Sequence, residues 1–497
     1  MELLQILLFS IPIFFFFFLW ARHVNSNSKK APPGPTGLPV LGSLLDIGTF
    51  PNQSLAQLAK RHGPLMTIRL GSIPTVVASS SEIAQQIFQR HDEAISDRTI
   101  PDVITAQPNP ESTLAWVPGD HKWRKRRRFC SSQLFAAHRL DKFQDIRRNK
   151  VRQLIQHLKK HSLSGTAVDL GQAAFGTTLN LMSNTIFSVD LVDSEFESAQ
   201  EFKDLVWRIM EDAGKVNLSD YFPVLQRFDL QGVKRHIKAS YERLHEIFDE
   251  LIEKRLEERR GSGFRTGDFL DLLLDQCQEH GSDFNRTSIK PLILDLFIAG
   301  SDTSAITTEW AMAELLRQPR VLQKARKELS QVIGSNREVE ESDTDKLPYL
   351  QAITKETLRL HPAAPLLLPY KATKHVEING YTIPKGTQVL VNAWAIGRDP
   401  KYWDEPDSFK PERFLDSNVD YKGRDFEYIP FGAGRRICPG LPLAERMVHL
   451  MLASVIHCFD WKLPQGMSPE ELDMRDQFGV TLKKAVPLCA IPLVHKD

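Results

Sequence analysis

The stretch Phe431-Gly432-Ala433-Gly434-Arg435-Arg436-Ile437-Cys438-Pro439-Gly440 constrains this chain more than any other. It is a glycine-rich loop that delivers one cysteine directly ahead of an apolar helical run, Leu443 to Phe459. A thiolate at that point receives backbone N–H groups and the positive end of the helix macrodipole, both of which favour the charged sulfur that a metal needs. The glycines let backbone approach a large flat ligand where a side chain would collide. Arg436 can meet an anionic group on that ligand. Gly432-x-Gly434 also begins like a dinucleotide-binding turn, but Ile437 occupies the third glycine position, no acidic strand end follows about 20 residues on, and a proline follows the cysteine.

The other cysteines, Cys130, Cys277, Cys458 and Cys489, are widely spread and never form a C-x-x-C pair. That argues against a disulfide framework or a zinc ribbon, and each reads as a small buried hydrophobe. Gly 27 and Pro 30 in 497 residues leave no room for long disordered tethers, and hydrophobic content of 42% with 25% charged residues is globular. Strands are expected at Leu65 to Leu70 and Thr75 to Ala78, joined through Gly71-Ser72, and in a second small sheet over Val376 to Asn392 with a tight turn at Asn379-Gly380. From Ser81 to Arg317 the periodicity is mostly helical. The economical reading is a single large domain, mainly α with small β-sheets. Lys+Arg 63 against Asp+Glu 62 gives +1, so no global basic field exists for nucleic acid and an electrostatic partner must meet a local patch.

Leu3 to Ala21 is almost wholly apolar and long enough to cross about 30 Å of hydrocarbon as a helix. It lacks the basic start and small-x-small site of a cleaved signal, and Arg22, Lys29 and Lys30 follow it. Residues 1–21 are therefore expected to be a single-pass anchor with the rest of the chain cytosolic. Residues 22–42, with Pro32-Pro33-Gly34-Pro35, read as a basic, Pro-rich hinge, and residues 43–497 as the body.

Two further patterns carry chemistry. A helical stretch, about Thr287 to Arg317, contains Ala299-Gly300-Ser301-Asp302-Thr303-Ser304. Gly300 costs about 1 kcal/mol of helix propensity and its polar neighbours compete for the backbone, so a mid-helix bulge or water is expected there. Lys355-Glu356-Thr357-Leu358-Arg359 puts Glu356 and Arg359 on one helical face, with Pro348 at the start and His361-Pro362 at the end. Alone, the first pattern reads as a solvated polar cluster, and the second as a surface pair worth a few tenths of a kcal/mol.

Together these stretches resemble the cytochrome P-450 haem-thiolate monooxygenases. Phe431, Gly434, Arg436, Cys438 and Gly440 match the F-x-x-G-x-R-x-C-x-G haem loop, a coincidence expected about once in 10⁴ such chains. The resemblance implies haem b (iron protoporphyrin IX) between a long distal helix and a proximal loop and helix, with Cys438 as axial thiolate. Trp123 and Arg127 match W-x-x-x-R and are expected at a haem propionate. Glu356 and Arg359 match E-x-x-R, and Arg413 in Pro411-Glu412-Arg413-Phe414 its third member, a buried triad serving folding and haem retention. Asp302 and Thr303 match the proton-relay pair, which peroxide-rearranging members commonly lack, so O2-dependent monooxygenation is favoured. Where plant members usually show P-R or P-H, this chain has Pro369-Tyr370-Lys371, and either Tyr370 or Lys371 is left to replace that propionate contact.

The finer resemblance, in the hinge, Trp394 to Pro400 and Phe478-Gly479-Val480-Thr481-Leu482, is to plant microsomal members, most similar to the geraniol hydroxylase-like terpenoid hydroxylases. It implies a pocket lined from Ile100 to Leu114, around Trp207 to Met210, by Leu294, Phe297 and Ala299, and by Ala363 to Leu367 and Phe478 to Val480. Ala299, Leu366 and Val480 are expected nearest the ligand. The implied substrate is a hydrophobic terpenoid, a monoterpenol or diterpenoid; an alkaloid or phenolic hydroxylase, a haem-dependent isomerase and a haem sensor are the alternatives. Electrons are expected from NADPH through a separate flavin reductase at the endoplasmic reticulum membrane, with cytochrome b5 as a further partner. The reductase would dock on Lys122, Arg124, Lys125, Arg126 and Arg128.

Overall fold

The structure, a computed structural model, describes residues 31–191, 199–334 and 337–494. The expected anchor at residues 1–21 and the hinge up to residue 30 lie outside the described residues. Among the described residues no helix is long and apolar enough to cross a membrane.

A helix that is apolar on all sides has to be buried, and the long helix Arg286–Arg317 is the axis of the molecule. Asn285 starts it through a capping box with Ser288. It packs most extensively against Leu170–Phe187, Pro348–Leu360 and the cysteine helix Leu441–Cys458. Phe297 sits on it in an aromatic cluster, with ring centroids 5.1 Å from Phe202, 5.9 Å from Phe187 and 6.0 Å from Phe248. Phe297 thus belongs to the core and not to the pocket wall expected of it.

The expected mid-helix bulge is also corrected, because the helix runs unbroken through Ala299–Ser304. The hydroxyls of Thr303, Thr307 and Thr308 donate back to the carbonyls of Ala299, Thr303 and Ser304 at 2.8 to 2.9 Å, so their competition for backbone is met inside the helix. Gly300 has a packing reason instead, since a Cβ there would lie 2.8 Å from Met182 Sδ on the neighbouring helix.

The hairpin Leu65–Leu70/Ile73–Ala78 forms as expected. Gln388–Val391 pairs parallel to its second strand, in register Thr75 with Gln388, and Tyr370–Lys371 and Asp97–Arg98 complete a five-stranded sheet. The second sheet is therefore smaller than expected. It is only the hairpin Val376–Ile378/Tyr381–Ile383, turned through Asn379 and Gly380 at φ 54° and 80°. The larger sheet matters to the site because its edge sets Arg98 opposite Tyr370.

Glu328 supplies the cap that Leu347 cannot, its carboxylate accepting from the backbone N–H groups of Tyr349 (2.7 Å) and Leu350 (3.0 Å) at the start of Pro348–Leu360. Of the four cysteines assigned to the core, Cys130 is buried and Cys277 and Cys458 are half-buried. Cys489 is exposed, because it falls on an outward position of the strand Cys489–Val494.

Burial pushes the Glu309 carboxyl on the long helix up to about 7, even though it accepts the Leu488 N–H at 2.9 Å. A raised folded pKa means that stability is fully present below the ordinary value and is lost as pH rises through about 7. The Glu309→Gln variant keeps the acceptor without the charge. Its unfolding midpoint is expected to match wild type near pH 4 and to exceed it above pH 7, by up to about 3 kcal/mol of stability, in thermal melts across that range.

Candidate functional site

The cysteine loop is closed by the Cys438 N–H, which donates to the Phe431 carbonyl at 3.0 Å. Phe431 anchors it by packing edge-on to Tyr421 at 5.4 Å. Gly434 adopts φ +65°, and a Cβ there would strike Asp92 Oδ1 at 2.7 Å. That glycine makes room for the Asp92 carboxylate, which accepts the Arg435 N–H. At Gly440 a Cβ would sit 3.7 Å from Phe135 and 3.8 Å from Cys438 Sγ, an ordinary contact beside the sulfur.

Cys438 lies just before the cysteine helix, and the N–H groups of Gly440 and Leu441 and the Arg127 guanidinium favour its thiolate. Burial outweighs them and pushes the thiol above its ordinary range. The helix start alone therefore does not ionise this sulfur; a coordinating metal cation would be needed.

Cys438 opens on a cavity of about 520 Å³ whose walls come from the cysteine loop, the basic helix His121–Gln133, the long helix, Ala363 to Tyr370 and the hairpin Asp476–Phe478/Leu482–Lys484. Trp123, Arg127, Phe431, Arg436 and Gly440 line it on the cysteine side. The Trp123 indole N–H is taken by the Leu114 carbonyl (3.1 Å), and Arg127 donates to the carbonyl of Ile437. Arg436 donates to the carbonyls of Ser96 (2.8 Å) and Val117 (2.6 Å) and lies 3.9 Å over the Trp123 ring. Its Nη1 is buried with no partner among the described residues. Burial and the neighbouring Arg98 guanidinium pull its pKa down to about 9.

Arg98 has no motif around it in the sequence and was missed there. It is 7% exposed, donates to the carbonyls of Ala115 and Leu368, and lies 4.2 Å over the Tyr370 ring. Tyr370 is buried against the same cavity, whereas Lys371 is exposed and outside it. Two adjacent guanidiniums, one carrying an unpaired buried nitrogen, call for an anionic ligand. A single thiol donor beside them suits an iron already held by a macrocycle with acidic substituents, so these residues fit haem. Among the described residues no group of three His, Cys, Asp or Glu side chains could hold a bare metal ion.

Across the cavity stand Asp302 and Thr303 of the long helix. Thr303 is bonded back to Ala299. Asp302 is 5% exposed, accepts the Thr481 hydroxyl at 2.6 Å, and has its carboxyl raised by burial to about 6. Thr481 was not foreseen, because it reaches Asp302 from the tip of a hairpin remote in sequence. Ala299, Leu366 and Val480 all line the cavity.

Glu356, Arg359 and Arg413 form a cluster outside it. Arg359 donates to Glu356 at 2.7 and 2.8 Å, and Arg413 at 3.0 Å. Of the basic patch, Lys122, Arg124, Lys125 and Arg128 are exposed, with Lys125 paired to Asp283 at 2.7 Å. Arg126 does not belong to it: it shares the inward face with Trp123 and Cys130, is 4% exposed, and donates to the Glu111 carbonyl.

Known proteins share this sequence at length. The family model described as Cytochrome P450 matches residues 32–488. The chain is 49% identical over 486 residues to geraniol 8-hydroxylase of Catharanthus roseus, covering 98% of each. It is 49% identical over 475 residues to 7-ethoxycoumarin O-deethylase of Helianthus tuberosus, covering 96% of each. Identity to drimenol monooxygenase of Persicaria hydropiper is 46% over 468 residues, covering 94% of this chain and 93% of that protein.

Proposed function

The chain belongs to the cytochrome P450 family, and from that premise we propose that it hydroxylates a hydrophobic terpenoid, a monoterpenol or diterpenoid, using O2 and electrons from NADPH through a separate flavin reductase. One observation carries the reading: one largely apolar cavity is lined both by Cys438 and by Asp302 and Thr303 of the long helix. Relatives named for geraniol and drimenol support the substrate class.

Cys438 would hold the iron of haem b through its sulfur, and Arg98 and Arg436 would hold its carboxylates. When bound, the haem supplies the redox iron that activates O2 for C–H hydroxylation. The chain's own part is to exclude water, orient the substrate and manage protons. With a pKa of about 6, Asp302 takes up and releases a proton near neutral pH. Thr303, donating to Ala299, keeps its hydroxyl oxygen at the cavity surface. Phe431 anchors the loop that presents Cys438, and the Glu356 cluster fastens the segment from Gly397 to Arg413.

The body would sit at the endoplasmic reticulum membrane, anchored by residues 1–21 and facing the cytosol. Support comes from exposed apolar side chains in two segments, Val40 at the end of the hinge with Leu45 just after it, and Val216, Val224 and Leu230 further on. Ser72 joins the two regions by donating, through both N–H and hydroxyl, to the Tyr221 carbonyl. Lys122, Arg124 and Arg128 would receive an acidic reductase surface, with cytochrome b5 as a further candidate.

Reconstituted with reductase, the protein is expected to convert geraniol to a product carrying one atom from labelled O2, only when NADPH is present. In the same assay Thr303→Ala should keep consuming NADPH while the fraction recovered as product falls several-fold. Turnover of 7-ethoxycoumarin but of no terpenoid in a panel would replace the terpenoid reading with a phenolic one.

A further inference from the structure

The cavity wall is largely apolar, yet among its polar side chains are Gln107, Tyr241 and Asp295, from three separate elements, to which the reading above gives no role. Gln107 ends the short turn Asp102–Ala106. It is 4% exposed, and its Oε1 is buried with no hydrogen-bond partner among the described residues. That turn packs against the helix Val233–Ser262, held by Lys234, which donates to Asp102 (2.9 Å) and Thr105 (2.7 Å). Two turns along the same face comes Tyr241, 1% exposed and within electrostatic reach of Asp295. Asp295 is on the long helix and accepts the N–H groups of Leu114 (2.6 Å) and Ala115 (3.0 Å). Both bonds fall on Oδ2, and Oδ1 takes none among the described residues.

Buried polar groups are ordinarily paired, and a few convergent ones in an apolar pocket are what orients a ligand. On the reading proposed above, we infer that Gln107, Tyr241 and Asp295 form the binding site for the hydroxyl group of an isoprenoid alcohol. A hydroxyl both donates and accepts, and this trio offers both: carboxylate and carboxamide oxygens to receive its proton, phenol and amide N–H groups to donate to its oxygen. Asp295 lies eight residues before Thr303, about 12 Å along the helix axis. An alcohol held there is oxidised at a carbon remote from its hydroxyl.

The test measures dissociation constants on purified holoenzyme by equilibrium dialysis, with geraniol, the hydrocarbon 2,6-dimethylocta-2,6-diene and geranylamine as probes. Wild type should bind geraniol at least about tenfold more tightly than the hydrocarbon, because the latter leaves buried polar groups unpaired. Tyr241→Phe and Gln107→Leu should each weaken geraniol binding about two- to tenfold and leave the hydrocarbon unchanged. Equal affinity of wild type for geraniol and hydrocarbon, or equal losses for both in the variants, would overturn the hydroxyl site while keeping the terpenoid reading. Much tighter binding of geranylamine than of geraniol would overturn it in favour of an ammonium site, and binding of none of the three would sink both readings.

Discussion

Cys438→Ser is expected to abolish turnover and the red-shifted Soret band of the reduced CO complex, while the apoprotein stays folded. The first half follows from chemistry: in this wall Cys438 provides the one soft anionic donor, and a serine hydroxyl does not ionise beside two backbone N–H groups whose pull is already too weak for the thiol itself. The second half follows from packing. Cys438 is half-buried at the cavity surface, and the bond closing its loop runs from its backbone N–H to Phe431, which serine keeps. The checks are CO difference spectra and far-ultraviolet circular dichroism on the same preparation. An unshifted CO band in the wild-type protein would remove the thiolate assignment altogether.

Glu356→Gln should have the opposite signature, with little folded protein of any kind. Glu356 is fully buried and receives Arg359, Arg413 and the Lys410 N–H (2.7 Å) on its two oxygens. Arg359 in turn fastens the carbonyls of Gly397 (2.7 Å), Pro406 (2.6 Å) and Ser408 (3.1 Å). A neutral amide leaves two guanidiniums beside no countercharge, a loss of about 3–5 kcal/mol against a total stability of about 5–15 kcal/mol. Soluble yield and thermal midpoint at matched expression test this. A variant that folds with a midpoint close to wild type would show that the cluster is no more than the surface pair its spacing alone suggests.

The contrast between these variants marks how far the sequence could be read. The cysteine loop, the Glu356 helix and the Asp302-Thr303 pair were legible because their chemistry is compressed into short segments, so spacing along the chain reports proximity. The helix Pro348–Leu360 fell where its flanking prolines put it, and Arg286–Arg317 lies within a residue of the span its periodicity gave. Misreadings came where a neighbour decided the matter. Gly300 looked like a helix weakness until Met182 was set against it, and Phe297 looked like pocket wall until Phe202, Phe187 and Phe248 closed around it.

The sequence by itself pointed to the reaction class, through the resemblance to the cytochrome P450 family that the cysteine loop, the Asp302-Thr303 pair and the E-x-x-R helix carry together. Only the tertiary structure decided which charges face the cavity. Arg98, Gln107, Tyr241 and Asp295 are single polar residues with no pattern around them, and in a linear chain such residues read as solvated surface. Packing makes each of them matter: elements far away in sequence turn them toward the cavity and away from bulk water, and a polar group without water has to find its partner in the protein or in the ligand.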